Sequence, residues 1–262
     1  MFGVVPRPLW SRKSPPDEMN RVLMSMRLLL IEDGVRTTLV DTGAGEGHDE
    51  RFREIHALDA RPVRDALLPA GLEPGQIDRV INTHLHFDHA GGNATPAGGQ
   101  PSRRPALPEA EYLVQAAEVA VSGRRDSRRL RAAYSGVSLS ALQREPGRLR
   151  TVEGEIDLGG GVRLLPAPGH TPGMQIVIIA AGEDTFAFPA DLMPMAAHAA
   201  LGWIPAYDLE PLVSMETKRR ILRRAVEEEW KLVLQHDPEM PLAVLREESG
   251  GRLVSRPWEP RA

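Results

Sequence analysis

The stretch His84-Leu85-His86-Phe87-Asp88-His89 sets three imidazoles and one carboxylate within six residues. With eight histidines in 262 residues, composition alone would give the pattern H-x-H-x-D-H in on the order of a few shuffled chains in ten thousand. Nitrogen and oxygen donors at that density suit divalent metals. The stretch also constrains what precedes it. Arg79-Val80-Ile81-Asn82-Thr83 is β-branched and apolar and follows Pro74-Gly75, which predicts a buried strand whose end delivers His84. Residues two apart on an extended segment project to one side, so His84 and His86 can share an ion. Asp88 and His89 then fall in the turn before Ala90-Gly91-Gly92-Asn93, whose small residues let the backbone pass close to the ions, and a second ion could take that pair.

Four side chains from six consecutive residues cannot all close on one ion at the roughly 2.0 to 2.2 Å that zinc requires. Further ligands must come from elsewhere. Three residues stand at the ends of predicted strands, where loops carry chemistry on a rigid sheet: His170 in Ala167-Pro168-Gly169-His170-Thr171-Pro172-Gly173, Asp191 after Thr185-Phe186-Ala187-Phe188-Pro189-Ala190, and His236 after Leu232-Val233-Leu234-Gln235.

The ordered set H-x-H-x-D-H, P-G-H-T-P-G, A-D-L and a late H-D-P, together with Asp41-Thr42-Gly43, resembles the metallo-β-lactamase-fold hydrolases from about Met19 to Pro238. The wording from Thr83 to Asn93 is most similar to acyl-homoserine-lactone lactonases and their phosphotriesterase-like cousins. The resemblance implies an α/β fold, an αββα sandwich built as a single domain over residues 1–262. It also implies that His84, His86 and His170 hold one metal, that Asp88, His89 and His236 hold a second, and that Asp191 bridges them. By the same resemblance the cofactors are two divalent ions, zinc first, with manganese, cobalt or iron as alternatives, and a water or hydroxide between them attacks a lactone or other ester. Asp88 is the residue expected to pass a proton to the leaving group. Two alternatives stay open on the same scaffold: a glyoxalase-II-type thioesterase, and a persulfide dioxygenase with a single iron. The thioesterases usually carry His where this chain has Met174.

Several further residues are expected near such a site. Asp41 reads as a residue that steadies the histidine loop by hydrogen bonds rather than as a ligand. Phe87 points either into the core or at substrate. Met193, His198, Trp203 and Tyr207, in a proline-punctuated loop after Asp191, are expected to contact substrate or to cover the core. His48 and His56 have no companion pattern.

Composition excludes more than it selects. Cysteine is absent, so there is neither a disulfide framework nor a thiolate ligand, and the β-lactamases that place Cys on the second metal are a poorer match. A net charge of -4 gives no general pull toward nucleic acid, and no nucleic-acid partner is expected. No run approaches the roughly 18 apolar residues of a membrane span and no signal peptide is evident, so a cytoplasmic enzyme with a small-molecule substrate is expected. A homodimer is compatible with the sequence. Hydrophobic residues make up 42% of the chain, enough for one substantial core.

Local signals sketch the elements. Arg21 to Glu32 and Val35 to Val40, joined by Asp33-Gly34, predict a hairpin. Asp59 to Ala70 predicts a helix capped by Asp59 and Gly71, strands return between Val162 and Phe188, and Ser214 to Trp230 shows helical spacing. A last hairpin surrounds Gly250-Gly251. Between 100 and 150 ten arginines gather, and Tyr112 to Tyr134 is helix-compatible. This segment is expected to be a helical, Arg-rich insertion, solvated or acting as a lid.

Overall fold

The computed structural model describes residues 1–96, 103–124, 130, 133–134 and 139–259. The chain divides into two compact units, residues 28–153 and residues 1–27 with 154–262.

In the unit 28–153 the strands are β1 (Leu29–Glu32), β2 (Thr37–Val40), β3 (Arg79–Ile81), β4 (Ala94–Pro96), β5 (Arg103–Pro105), β6 (Glu111–Gln115) and β7 (Leu149–Val152). Five of them form a sheet in the order β1-β2-β3-β6-β7. β1 and β2 pair antiparallel across the expected turn. Asp33 Oδ1 accepts from the backbone N–H groups of Val35 and Arg36, and Gly34 takes the left-handed conformation the turn needs. The first strand is shorter than expected, since only Leu29–Glu32 is paired. β2, β3, β6 and β7 run parallel, and a parallel sheet brings every carboxyl-terminal strand end to one edge. Leu39, Val80 and Tyr112 line one core with Val63, Leu67, Ile77, Leu107 and Leu142.

Two sequence expectations are corrected by the structure. Tyr112 to Gln115, expected as the start of a helix, lie in the strand Glu111–Gln115 between β3 and β7; these four residues are all buried, so they lack the alternation that marks a half-exposed strand. A helix of that segment runs from Ala116 to Ser122, and residues 100–102, 125–129, 131–132 and 135–138 of the expected insertion lie outside the described residues. The helix expected from Asp59 starts at Val63, after Pro62, and closes in a short 3-10 turn Leu68–Ala70 with Gly71 left-handed. Pro62 disfavours helical geometry in the residue before it, which sets that start. A helix Glu50–His56, capped by the Asp49 side chain on the Phe52 N–H, was not foreseen.

The other unit holds β8 (Ile156–Asp157), β9 (Val162–Pro166), β10 (Gln175–Ala181), β11 (Asp184–Phe188), β12 (Lys231–Val233), β13 (Leu242–Glu248) and β14 (Arg252–Pro257). They make one sheet in the order β14-β13-β12-β11-β10-β9-β8. β10 is antiparallel to both β9 and β11, and β11 is parallel to β12. β9, β11 and β12 therefore point the same way, and their carboxyl ends lie along one edge. The final hairpin, β13 with β14, forms as expected. The long helix runs Pro211–Glu227, three residues ahead of expectation, because Pro211 supplies its first turn; Ile221, Leu222 and Ala225 are buried. Among the described residues no helix is long and apolar enough to cross a membrane.

Candidate metal centre

The parallel sheet of the unit 28–153 explains how the first group of candidate ligands is assembled. β2 ends at Val40 beside Ile81 of β3, so Asp41-Thr42-Gly43 and Asn82-Thr83-His84 leave the same edge as neighbours. Asp41 adopts a left-handed φ of 59°, and its buried carboxylate accepts from Thr83 N (2.8 Å), Thr83 Oγ1 (2.8 Å) and His89 Nδ1 (2.9 Å). His84, His86 and His89 are all buried. The His84 ring centroid lies 3.9 Å from that of His89 and 4.6 Å from that of His86. Asp88 and His89 sit in a one-turn helix, Phe87–Ala90, rather than an open turn.

Gly91 and Gly92 are needed there for a reason different from the expected one. A Cβ on Gly91 would stand 2.1 Å from Ala44 O, and one on Gly92 would stand 2.2 Å from Thr42 O. The glycines let the loop after the ligands close against the Asp-Thr-Gly turn, and Thr42 N bonds His89 O at 2.7 Å. Asn82 and Asn93 pair their side-chain amides beneath it.

Glu118 was not singled out by sequence. It follows β6, whose end lies on the same edge, and its buried carboxylate accepts from Leu85 N (3.0 Å), between two ligand histidines, and from Tyr134 Oη (2.8 Å). The Tyr134 ring packs on His86 at 5.0 Å. Phe87 is half-buried and turns toward the helix Glu50–His56, edge-on to Phe52 at 5.0 Å, with His48 and His56 completing the aromatic group. Burial lowers the His56 pKa, and the nearby Asp88 charge opposes that shift. Phe52 and His56 face together only because they are four apart on that helix, which is why sequence left His48 and His56 without companions.

In the other unit β9, β11 and β12 deliver His170, Asp191 and His236 to one edge. All three are buried. Asp191 Oδ2 lies 3.2 Å from His170 Nε2, and Oδ1 lies 3.2 Å from His236 Nε2. His170 Nδ1 donates to Asp208 Oδ1 at 2.9 Å, and His236 Nδ1 donates to Ser25 O at 2.8 Å. Each imidazole is thereby oriented through Nδ1, which assigns metal binding to Nε2. The His170 loop is held against the long helix. Leu209 N and Glu210 N bond the carbonyls of His170 and Gly169, and Gly169 presses on Ser214. Asp208 has no motif of its own and escaped sequence reading.

The loop residues expected near substrate divide. Tyr207 stands edge-on to His170 at 5.5 Å, while Met193 is buried. His198 is fully buried and stacks on Phe2 at 5.1 Å, and Trp203 meets the same ring edge-on at 5.8 Å. Burial, reinforced by the Lys218 cation, pushes the His198 pKa down to about 3, so its imidazole is neutral at physiological pH.

Residues 28–236 match the model of the metallo-beta-lactamase superfamily. This chain is a member of that superfamily. Its fold is the α/β metallo-β-lactamase fold. An N-acyl homoserine lactonase of a Bacillus species is 30% identical over 175 residues, 63% of this chain and 61% of the relative, so the chain spans about three fifths of the curated lactonases it matches. A probable metallo-hydrolase of Mycobacterium tuberculosis is 28% identical over 70% of this chain and 63% of its own. Among solved structures, a probable metal-dependent hydrolase from Staphylococcus aureus aligns over the whole chain and 92% of its own length, with a TM-score of 0.85 and 25% identity. AidC, a dizinc quorum-quenching lactonase, aligns over 91% of this chain and 81% of its own, with a TM-score of 0.73 and 20% identity, and shows likeness of fold.

The donors fit the divalent ions that this family implies. Each unit gathers buried imidazoles and carboxylate at strand ends, His84, His89, His170 and His236 have Nδ1 engaged by a protein oxygen, and the chain has no cysteine to supply a thiolate. That nitrogen and oxygen set suits zinc, manganese, cobalt or iron.

Proposed function

We propose that this protein is a dinuclear metal-dependent hydrolase that opens lactones or closely related esters. The observation that carries the reading is Asp191, whose two oxygens each face a different imidazole, His170 Nε2 and His236 Nε2. A carboxylate that serves one ion has no need to present both oxygens to separate ligands. In this reading His84, His86 and His170 would hold one ion, Asp88, His89 and His236 would hold the other, and Asp191 would serve both. The lactonase relatives support the substrate class.

When bound, the two ions supply Lewis acidity and lower the pKa of water enough to provide a nucleophile near neutrality. The chain's residues do the rest. Asp41 fixes the His89 ring by its Nδ1, and Asp208 fixes the His170 ring in the same way, so neither must reorganise during the reaction. As the water oxygen joins the carbonyl carbon, its proton passes to the Asp88 carboxylate. Asp88 then gives that proton to the leaving ester oxygen as the ring C–O bond breaks, and the product is a hydroxy acid. Phe87 with the aromatic residues beside it, and Tyr207 beside His170, offer apolar surface to an acyl or aryl group.

The test compares an acyl-homoserine lactone, an aryl ester, a phosphotriester, a glutathione thioester and a cephalosporin on metal-loaded protein, with metal counted by elemental analysis. About two ions per chain and preference for the lactone or aryl ester are expected. Asp191→Ala should lose at least one ion and all measurable turnover. Preference for the thioester would favour the thioesterase. One iron per chain with oxygen uptake on glutathione persulfide would replace hydrolysis by dioxygenation.

A further inference from the structure

Lys218 lies in the middle of the helix Pro211–Glu227 and is fully buried. An ammonium in the interior is costly unless its donors and its charge are both answered. A Met or Leu of similar volume would fill the same space without that cost, so what the lysine holds needs an account.

The Nζ donates to Ala200 O at 3.1 Å and to Trp203 O at 2.6 Å. These two carbonyls bracket the turn closed by Trp203 N on Ala200 O. The loop continues to Asp208, which accepts from His170 Nδ1, and then to Leu209 N, which bonds His170 O. Lys218 therefore anchors one end of the segment 200–209, and His170 receives the other. The Asp208 carboxylate is also the anion whose field partly offsets the cost of burying the Lys218 ammonium. The groups facing the ammonium are thus two carbonyls, Asp208 and the neutral His198.

We propose that Lys218 is a positioning residue for the His170 arm of the site, tying down the loop that carries Asp208, whose carboxylate aims His170 Nε2. The inference rests on the dinuclear reading for its consequence in catalysis, but its structural content concerns His170 alone. Residues that orient a metal-ligating histidine typically change metal affinity 10- to 100-fold when removed, and a residue acting one step further out falls toward the lower figure.

The experiment uses the full chain with Lys218→Met, Asp208→Asn and the double variant. Zinc affinity is read by competition with a chromophoric chelator, and the His170 ring by nitrogen-15 NMR of the metal-free protein, with its signals assigned from His170→Asn. Lys218→Met should weaken one of the two zinc sites about tenfold and leave the other unchanged. It should lower kcat with less change in KM, and convert His170 from a single Nδ1–H tautomer to a mixture. The double variant should be no worse than Asp208→Asn. Lys218→Gln keeps a donor for the two carbonyls, serves if Lys218→Met does not fold, and should show a smaller loss in the same direction. A folded Lys218 variant with wild-type zinc affinity and a single His170 tautomer overturns the proposal, and so do losses that simply add in the double variant. If wild-type protein binds none of zinc, manganese, cobalt or iron, the dinuclear reading falls, and the His170 spectrum still decides whether Lys218 orients that ring.

Discussion

Asp41 performs two tasks that a substitution can separate. Its backbone has φ of 59°, a conformation Asn tolerates about as well as Asp, while its side chain accepts from three donors, Thr83 N, Thr83 Oγ1 and His89 Nδ1. Asp41→Asn should keep the turn but place an amide N–H against one or two of those donors. The expected outcome is a loss of metal affinity at the His89 ion of about 10- to 100-fold, with unfolding free energy of the metal-free protein changed by about 1–3 kcal/mol, the cost of one mispaired buried group. Chelator competition and urea denaturation measure the two effects, and unchanged metal affinity would refute the role assigned to this carboxylate. At this scale the candidate ligands His84, His86, Asp88, His89 and His170 could be singled out because each sits in a dense local word, H-L-H-F-D-H or P-G-H-T-P-G, while Asp191 and His236 were singled out by their places after predicted strands. Glu118, Asp208 and Lys218 were not. Each acts on a residue that is 33, 38 or 15 to 18 positions away, and nothing in its own surroundings announces the partner.

Strand direction accounts for which element supplies which candidate ligand. Parallel pairing of β2, β3 and β6 sets Asp41, His84 and Glu118 on one edge, and the shared direction of β9, β11 and β12 sets His170, Asp191 and His236 on another. The strands were read well where they alternate with turns, as in β9 to β11 and the last hairpin. Tyr112 to Gln115 were misread because a strand buried on both faces has no period to distinguish it from a helix. Elements also meet where only glycine fits. A Cβ on Gly169, with φ of 133°, would stand 2.3 Å from the Ser214 backbone, whereas Gly182, with φ of 61°, has nothing within 4 Å. Gly182→Ala should therefore cost only about 1 kcal/mol, the conformational penalty alone. Gly169→Ala must also push the long helix from the His170 loop, and should cost about 3 kcal/mol or more, with lost metal binding. Equal midpoints for the two variants in urea would show that this helix does not press on the loop.

Stability across pH reports on buried bases rather than on the net charge of the molecule. His198 has its pKa pushed from 6.5 to about 3, chiefly by burial. Between those values the unfolded chain takes up a proton that the folded chain refuses, so the unfolded state binds more protons and stability must fall as pH is lowered through this window. Above pH 6.5 both states are neutral and His198 contributes no slope. Lys218, lowered from 10.5 to about 7 by burial, has the same sign in a different window: the cost of burying its cation is present in full below pH 7 and is relieved as pH rises toward 10.5. The two effects can therefore be resolved by working below neutrality. Replacing His198 by Leu keeps an apolar side chain against Phe2 and removes the titration. A shift of one pKa unit corresponds to about 1.4 kcal/mol, so between pH 7.5 and pH 5 metal-free wild-type protein should lose about 2 kcal/mol more unfolding free energy than His198→Leu. Urea denaturation of both proteins at the two pH values measures the difference, and groups common to both proteins cancel in the comparison. Parallel losses in the two proteins would mean that His198 is protonated inside the fold, which its packing against Phe2 and the Lys218 cation argues against.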